Sequence, residues 1–184
     1  GNLQLDLLNI TTQTYNNTSF LKKIAIEQNK FVLITIHRAY NTNKFALLKI
    51  FNQLKKINYK IVFPIHPRTK KIIQKENINI PNNLLLIEPV NYLNMTILQR
   101  FSCYILTDSG GIQPEAYFLK KKCIVMRTES EWIDAINNNN NILYDYKTPL
   151  NEFIDAFLRI KVNIKHEYIN ASKNIVDIIN NIKI

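Results

Sequence analysis

The chain has 184 residues, with 24 basic against 14 acidic side chains and a formal charge of +10. That length suits one domain, and a composition 46% apolar and 21% charged excludes both a disordered tail and a membrane protein. No apolar run approaches the ~20 residues of a spanning helix. The start carries no basic-then-apolar signal pattern, and Cys103 and Cys123 are too few for a disulfide framework or a zinc knuckle. A reducing cytoplasm is the expected setting, with no membrane partner.

Phe31 to Ile36 (FVLITI) is short, β-branched and wholly apolar, as expected of a strand covered on both faces. Asn43 to Ile57 carries Phe45, Leu48, Phe51, Leu54 and Ile57 at helical spacing. Lys60 to Ile65 is the next strand, closed by His66-Pro67, and Thr69 to Asn77 reads as a helix. Leu84 to Ile87 is a strand ended by Glu88-Pro89, and Tyr92 to Arg100 a helix. Cys103 to Leu106 is a buried strand, Asp108 to Gly111 a turn, and Ile112 to Leu119 a helix. Cys123 to Met126 is a fifth strand and Asn141 to Leu143 a weak sixth, with helical patterns from Pro149 to the end. The five asparagines from Asn137 to Asn141 read as a surface loop. Sequons at Asn9, Asn17, Asn94 and Asn170 are expected by chance in so Asn-rich a chain.

This alternation predicts an α/β fold, a Rossmann-like open parallel sheet with helices on both faces. Ligands of such sheets bind beyond the carboxyl ends of the strands. The loops there are polar: His37-Arg38, His66-Pro67-Arg68, Glu88-Pro89, Asp108 to Gly111, and Arg127-Thr128-Glu129.

Among these, Thr107-Asp108-Ser109-Gly110-Gly111-Ile112-Gln113-Pro114-Glu115 is the strongest signal. The chain has three glycines where roughly a dozen are usual, and two of them adjoin here. First-turn amides and the helix dipole form an anion site that glycine lets a phosphate approach. The competing reading is a simple cap by Asp108 or Ser109, which needs one glycine at most, so a phosphate loop is favoured. Glu115 fits a ribose acceptor or a helix-start glutamate equally well by spacing. His37 and Arg38 could face a diphosphate, although His37 alone reads first as a capping or solvent-facing residue. His66 between two prolines reads as structural, and both cysteines as small buried hydrophobes. The lysines are scattered, without the arginine–aromatic interleaving of an RNA surface, so no nucleic acid partner is expected.

LITIHRAYN (33 to 41), IVFPIHPRT (61 to 69), LIEPVNYLNM (86 to 95), ILTDSGGIQPEA (105 to 116) and VMRTESEW (125 to 132) together give a specific pattern. The chain resembles the C-terminal half of the non-hydrolysing UDP-N-acetylglucosamine 2-epimerases. Gly1-Asn2 with Leu5-Asp6-Leu7-Leu8 also looks like that family's domain-junction segment. The resemblance implies one half of a two-domain glycosyltransferase-B-like architecture: one domain over 1–184, with a junction and first helix over 1–28 and C-terminal helices over 144–184. It also implies a UDP-sugar substrate, no cofactor and no metal, and a homodimer. The implied chemistry is elimination of UDP to a 2-acetamidoglucal and re-addition after inversion at C2.

Carried over, His37 assists departure of UDP; Ser109, Gly110 and Gly111 hold the diphosphate; Arg38 and Arg127 line the UDP-sugar site. The resemblance assigns Glu115 to the ribose, and Val90 and Met95 to the border of the uracil. There are departures. Ile36 replaces the usual glycine, Met95 stands where an aromatic is common, and Lys120-Lys121-Lys122-Cys123 replaces GKPV as a tolerable surface change. Glu131-Trp132 resembles the branch acting on modified UDP-sugars such as diacetamido uronic acids. The family's proton-transferring carboxylates belong to its N-terminal domain, so an N-terminal half-domain, in cis or in trans, is the expected partner. The competing classes are the donor-binding domain of a glycosyltransferase-B enzyme and an inactive UDP-binding fragment.

Overall fold

The computed structural model describes residues 2–162 and 170–181. Gly1 of the junction segment, and the expected C-terminal helix over 163–169 and 182–184, lie outside the described residues. The apolar runs form strands β1 (Phe31–Thr35), β2 (Lys60–Pro64), β3 (Leu84–Ile87), β4 (Ile105–Thr107), β5 (Cys123–Val125) and β6 (Asn141–Leu143). They make one sheet, parallel throughout, in the order β3-β2-β1-β4-β5-β6. Parallel strands need long crossovers, and the helices between them supply these.

The helices are α1 (Leu3–Thr14), α2 (Ser19–Lys23), α3 (Ala39–Thr42), α4 (Lys44–Leu54) and α5 (Pro67–Lys75). They continue as α6 (Tyr92–Phe101), α7 (Ile112–Phe118), α8 (Ile133–Asn137), α9 (Leu150–Arg159) and α10 (Ala171–Asn181). Asn43 lies outside α4 because it caps it, its side chain accepting from the Ala46 amide at 3.0 Å. The described residues of the first 28 carry α1 and α2.

Both faces of β1 are buried, which is why its sequence is apolar without alternation. Val32 and Ile34 join one core cluster with Leu47 and Phe51 of α4 and Ile154 and Phe157 of α9. Phe31 and Leu33 join the opposite cluster with Ile97 and Leu98 of α6 and Ala116 of α7. Asp6 of α1 is buried and accepts from the amides of Ala171 and Ser172 at 3.2 and 2.6 Å, capping α10 from far along the chain.

Two expectations about the surface are corrected. Asn140 and Asn141 are buried: their amide groups donate to Lys121 O and Gln113 O, joining the start of β6 to the segment before β5 and to α7. Lys121 and Lys122 before β5 are bound, while Lys120 is exposed. Lys121 Nζ donates to Ser102 O at the end of α6, and Lys122 Nζ to the carbonyls of Phe157, Leu158 and Ile160 at the end of α9. Of the cysteines, Cys123 is buried as expected, whereas Cys103 is only partly covered and directs its thiol to Asn29 O.

Candidate functional site

The strand order reverses between β1 and β4, so the chain leaves these neighbours in opposite directions and a crevice opens beyond their carboxyl ends. Thr35 pairs with Thr107 at this edge, their hydroxyls 2.6 Å apart. His37-Arg38 follows one strand and Asp108 to Gly111 the other. A cleft of about 250 Å³ lies here, lined by Ile36, His37, Val90, Met95, Ser109 and Ile112 among others. Four residues expected at the site, His37, Val90, Met95 and Ser109, therefore share one cavity. Ile36, in the family's glycine position, forms part of its wall.

Asp108 organises the crevice, a role the sequence reading missed by treating it only as a possible helix cap. Its side chain is fully buried and takes the amides of His37 and Arg38 at 3.0–3.2 Å and Asn41 Nδ2 at 3.0 Å. The His37 ring Nδ1 lies 3.1 Å from Asp108 Oδ1, with the His37 side chain 45% exposed. Asn41 Nδ2 also donates to Met126 O, tying the loop after β1 to the end of β5. Arg68 Nη2 donates to His37 O at 2.9 Å, so a second guanidinium stands near the histidine, while the Arg38 side chain is exposed. His66 caps α5, its Nδ1 accepting from the Arg68 amide, in keeping with the structural role read from its prolines.

The helix cap offered for the glycine loop is excluded: Gly111 itself occupies the N-cap position of α7, with no side-chain cap. Neither internal glycine has positive φ, so a left-handed backbone is not the reason for them. Each is overlain instead. A Cβ on Gly110 would stand 2.7 Å from Glu131 Oε1, and one on Gly111 would stand 3.1 Å from Gln4 Nε2. Both neighbours are the far ends of flexible side chains, so the loop is uncovered when they swing aside, Gln4 giving up its bonds to Gly111 O and Glu115 and Glu131 its pairing with Arg127. The Ser109 amide already donates to Thr107 Oγ1, and Trp132 Nε1 to Gly110 O at 2.8 Å. Arg127 does not enter the cleft: it is paired with Glu131 at 2.8 Å, with its side chain 12% exposed.

Glu115 is 2% exposed and accepts from three side-chain donors. Its Oε1 accepts from Gln4 Nε2 at 2.8 Å and Tyr92 Oη at 3.2 Å, and its Oε2 from Gln99 Nε2 at 2.6 Å. Burial, then the adjacent Glu115 carboxylate, raises the Tyr92 phenol above its ordinary value and keeps it a donor. Gln4, Tyr92 and Gln99 were missed because nothing in their local spacing connects them to Glu115. Among the described residues no three His, Cys, Asp or Glu side chains gather as metal ligands, and no helix is long and apolar enough to cross a membrane.

An open parallel sheet with a crevice at its switch point defines a Rossmann-like α/β domain, and the solved structures it matches have the glycosyltransferase-B-like architecture. Over residues 1–180 the chain matches the family model described as UDP-N-acetylglucosamine 2-epimerase, and it belongs to that family. It is 39% identical over 174 residues to a UDP-N-acetylglucosamine 2-epimerase homolog of Methanococcus maripaludis, covering 90% of this chain and 49% of the relative. It is 36% identical over 120 residues to the UDP-2,3-diacetamido-2,3-dideoxy-D-glucuronate 2-epimerase of Pseudomonas aeruginosa, covering 63% of this chain and 33% of that one. The Methanocaldococcus jannaschii UDP-GlcNAc 2-epimerase, solved in complex with UDP-GlcNAc and UDP, superposes with a TM-score of 0.80 and 33% identity, covering 96% of this chain and 51% of that one. The chain thus spans about half the length of the M. maripaludis and M. jannaschii proteins.

Proposed function

We propose that this chain is the UDP-binding, C-terminal half of a UDP-2-acetamido-sugar 2-epimerase. The observation that carries the reading is the crevice between β1 and β4, where His37, Ser109, Val90 and Met95 line one cleft beside a glycine loop overlain only by the ends of flexible side chains. In the proposed complex the diphosphate lies on Ser109, Gly110 and Gly111, where loop amides and the start of α7 favour negative charge. Val90 and Met95 border the base, and Glu115 takes the ribose by exchanging one of its internal donors for a sugar hydroxyl. Arg127 and Arg38 supply positive charge at the edge of the site.

Epimerisation removes the proton from C2 and expels UDP from C1, leaving a 2-acetamidoglucal. UDP then returns to C1 and a proton to the opposite face of C2. His37 faces the departing phosphate and donates to it. The groups that move the C2 proton come from the other half of the architecture, in cis or in trans, and a homodimer is the proposed assembly. The Glu131-Trp132 pair and the likeness to the P. aeruginosa diacetamido-glucuronate enzyme support a modified sugar as substrate.

Calorimetry tests the reading. UDP is expected to bind the chain and Gly111→Asp to abolish binding, since it adds both bulk and charge at the loop. Unchanged affinity in that variant overturns the phosphate-loop assignment. The isolated chain is also expected to leave hydrogen at C2 unexchanged in deuterated solvent.

A further inference from the structure

Asn41 braces the loop after β1 with its amide nitrogen, which donates to Asp108 and to Met126 O, while its Oδ1 accepts from Tyr146 Oη at 3.4 Å. Beside this contact lies a cavity of about 260 Å³ that shares no lining residue with the cleft of His37 and Ser109. Ile50, Met126, Tyr144 and Leu150 line it from buried positions, and Tyr40 and Lys49 from exposed ones. The Tyr144 and Tyr146 rings stand 4.8 Å apart, tilted by 45°. Tyr146, also in the lining, adopts φ 58°, a left-handed conformation that a bulky residue rarely takes. Unlike Ala25, Asn77, Lys120 and Asn139 it ends no helix, and strained backbone of this kind gathers at ligand sites. Lys49 is the one charged residue among the described lining. Its ammonium group lies 5.9 Å from the Tyr146 ring centre, and no carboxylate pairs with it among the described residues.

We propose that this cavity binds a small aromatic carboxylate, its ring held among the tyrosines and Met126 and its charge by Lys49. Size, shape and charge each narrow the choice. An apolar cavity of roughly 150 Å³ takes benzene, so this one has room for a ring and a short acid side chain. Tyrosine rings at this spacing offer faces and edges to a further aromatic, and methionine sulfur adds to such contacts. An ammonium group beside an apolar wall attracts an anion and repels a cation. The site owes nothing to the UDP reading.

Titration of the full chain with phenylacetate, followed by NMR of labelled tyrosine rings, tests the site. Phenylacetate is expected to shift the Tyr144 and Tyr146 signals saturably, with a dissociation constant of about 1 mM for a ligand of its size. Phenethylamine, with the same ring and the opposite charge, is expected to bind about tenfold more weakly. Lys49→Met keeps the length of an exposed side chain and removes its charge, for a loss of about three- to fivefold in phenylacetate affinity. Ala46→Leu fills the cavity from α4 and is expected to weaken phenylacetate about tenfold or more. Absence of a saturable shift at Tyr144 and Tyr146 up to about 20 mM phenylacetate overturns the proposal. Equal affinity for phenethylamine overturns it too, as does unchanged phenylacetate affinity in both variants.

Discussion

Glu131 bears on the glycine loop from two sides: one carboxylate oxygen overlies Gly110 and the other holds Arg127. A carboxylate in that place stands where an incoming phosphate oxygen would approach, and it neutralises a guanidinium that could meet the same anion. Two like charges ~4 Å apart near the surface repel by roughly 1–4 kcal/mol. Removing the charge while keeping the shape therefore favours the ligand. Glu131→Gln is expected to tighten UDP binding by about three- to tenfold in calorimetry, and weaker binding would assign Glu131 to holding the ligand instead. Glu115 shows the opposite economy. With Gln4, Tyr92 and Gln99 all donating to it, Glu115→Ala strands buried donors, for an expected loss of about 1–3 kcal/mol in chemical denaturation. Its effect on UDP has to be read on the folded fraction.

Helix ends account for much of the chain's scarcity of glycine. After α2, α5, α7 and α8 the next-but-one residue is left-handed: Ala25, Asn77, Lys120 and Asn139, with φ between 50° and 58°. Each end closes with the paired backbone bonds of a Schellman turn, as in Lys121 N to Ala116 O and Lys120 N to Tyr117 O. Glycine is the usual occupant. Here asparagine, the next-best residue in that conformation, takes two of the four positions, so composition bias acts where the backbone tolerates it. Lys120 is the poorest fit, and it stands where the family pattern carries glycine. Lys120→Gly is expected to stabilise the chain by about 1 kcal/mol, visible as a higher denaturation midpoint. Lys122 acts differently, donating at 2.6–2.8 Å to three carbonyls at the end of α9. Lys122→Met keeps its length but strands those groups, with an expected cost of about 1–2 kcal/mol.

At the scale of the whole molecule, one sheet couples two cores, and a residue in either reports on both. Phe63 on β2 is fully buried in the cluster beneath α4 and α9. Phe63→Ala is expected to cost about 3–5 kcal/mol while leaving a single urea transition. Two separated transitions would mean that the faces unfold independently. The sheet also leaves apolar residues exposed on α1 (Leu3, Leu7, Ile10) and α10 (Ile175, Val176, Ile178, Ile179).

The strands and the polar loops beyond them were legible because double-sided burial writes itself into short runs such as FVLIT and CIV, and loop polarity is equally local. The Gly110-Gly111 turn and the strand–helix rhythm needed nothing more than neighbours in sequence. The long-range partnerships are what tertiary structure alone decided. Gln4 reaches Gly111 across 107 positions, and Asn41 reaches Asp108 across 67. Asn140 and Asn141 looked like loop until the packing of β6 enclosed them. A hydrogen bond between distant residues has no period to betray it, so a buried Asp108 and a surface cap read alike until β1 and β4 lie side by side. The scarcity of glycine belonged to the sequence; which glycines had to stay, and what covers them, belonged to the fold.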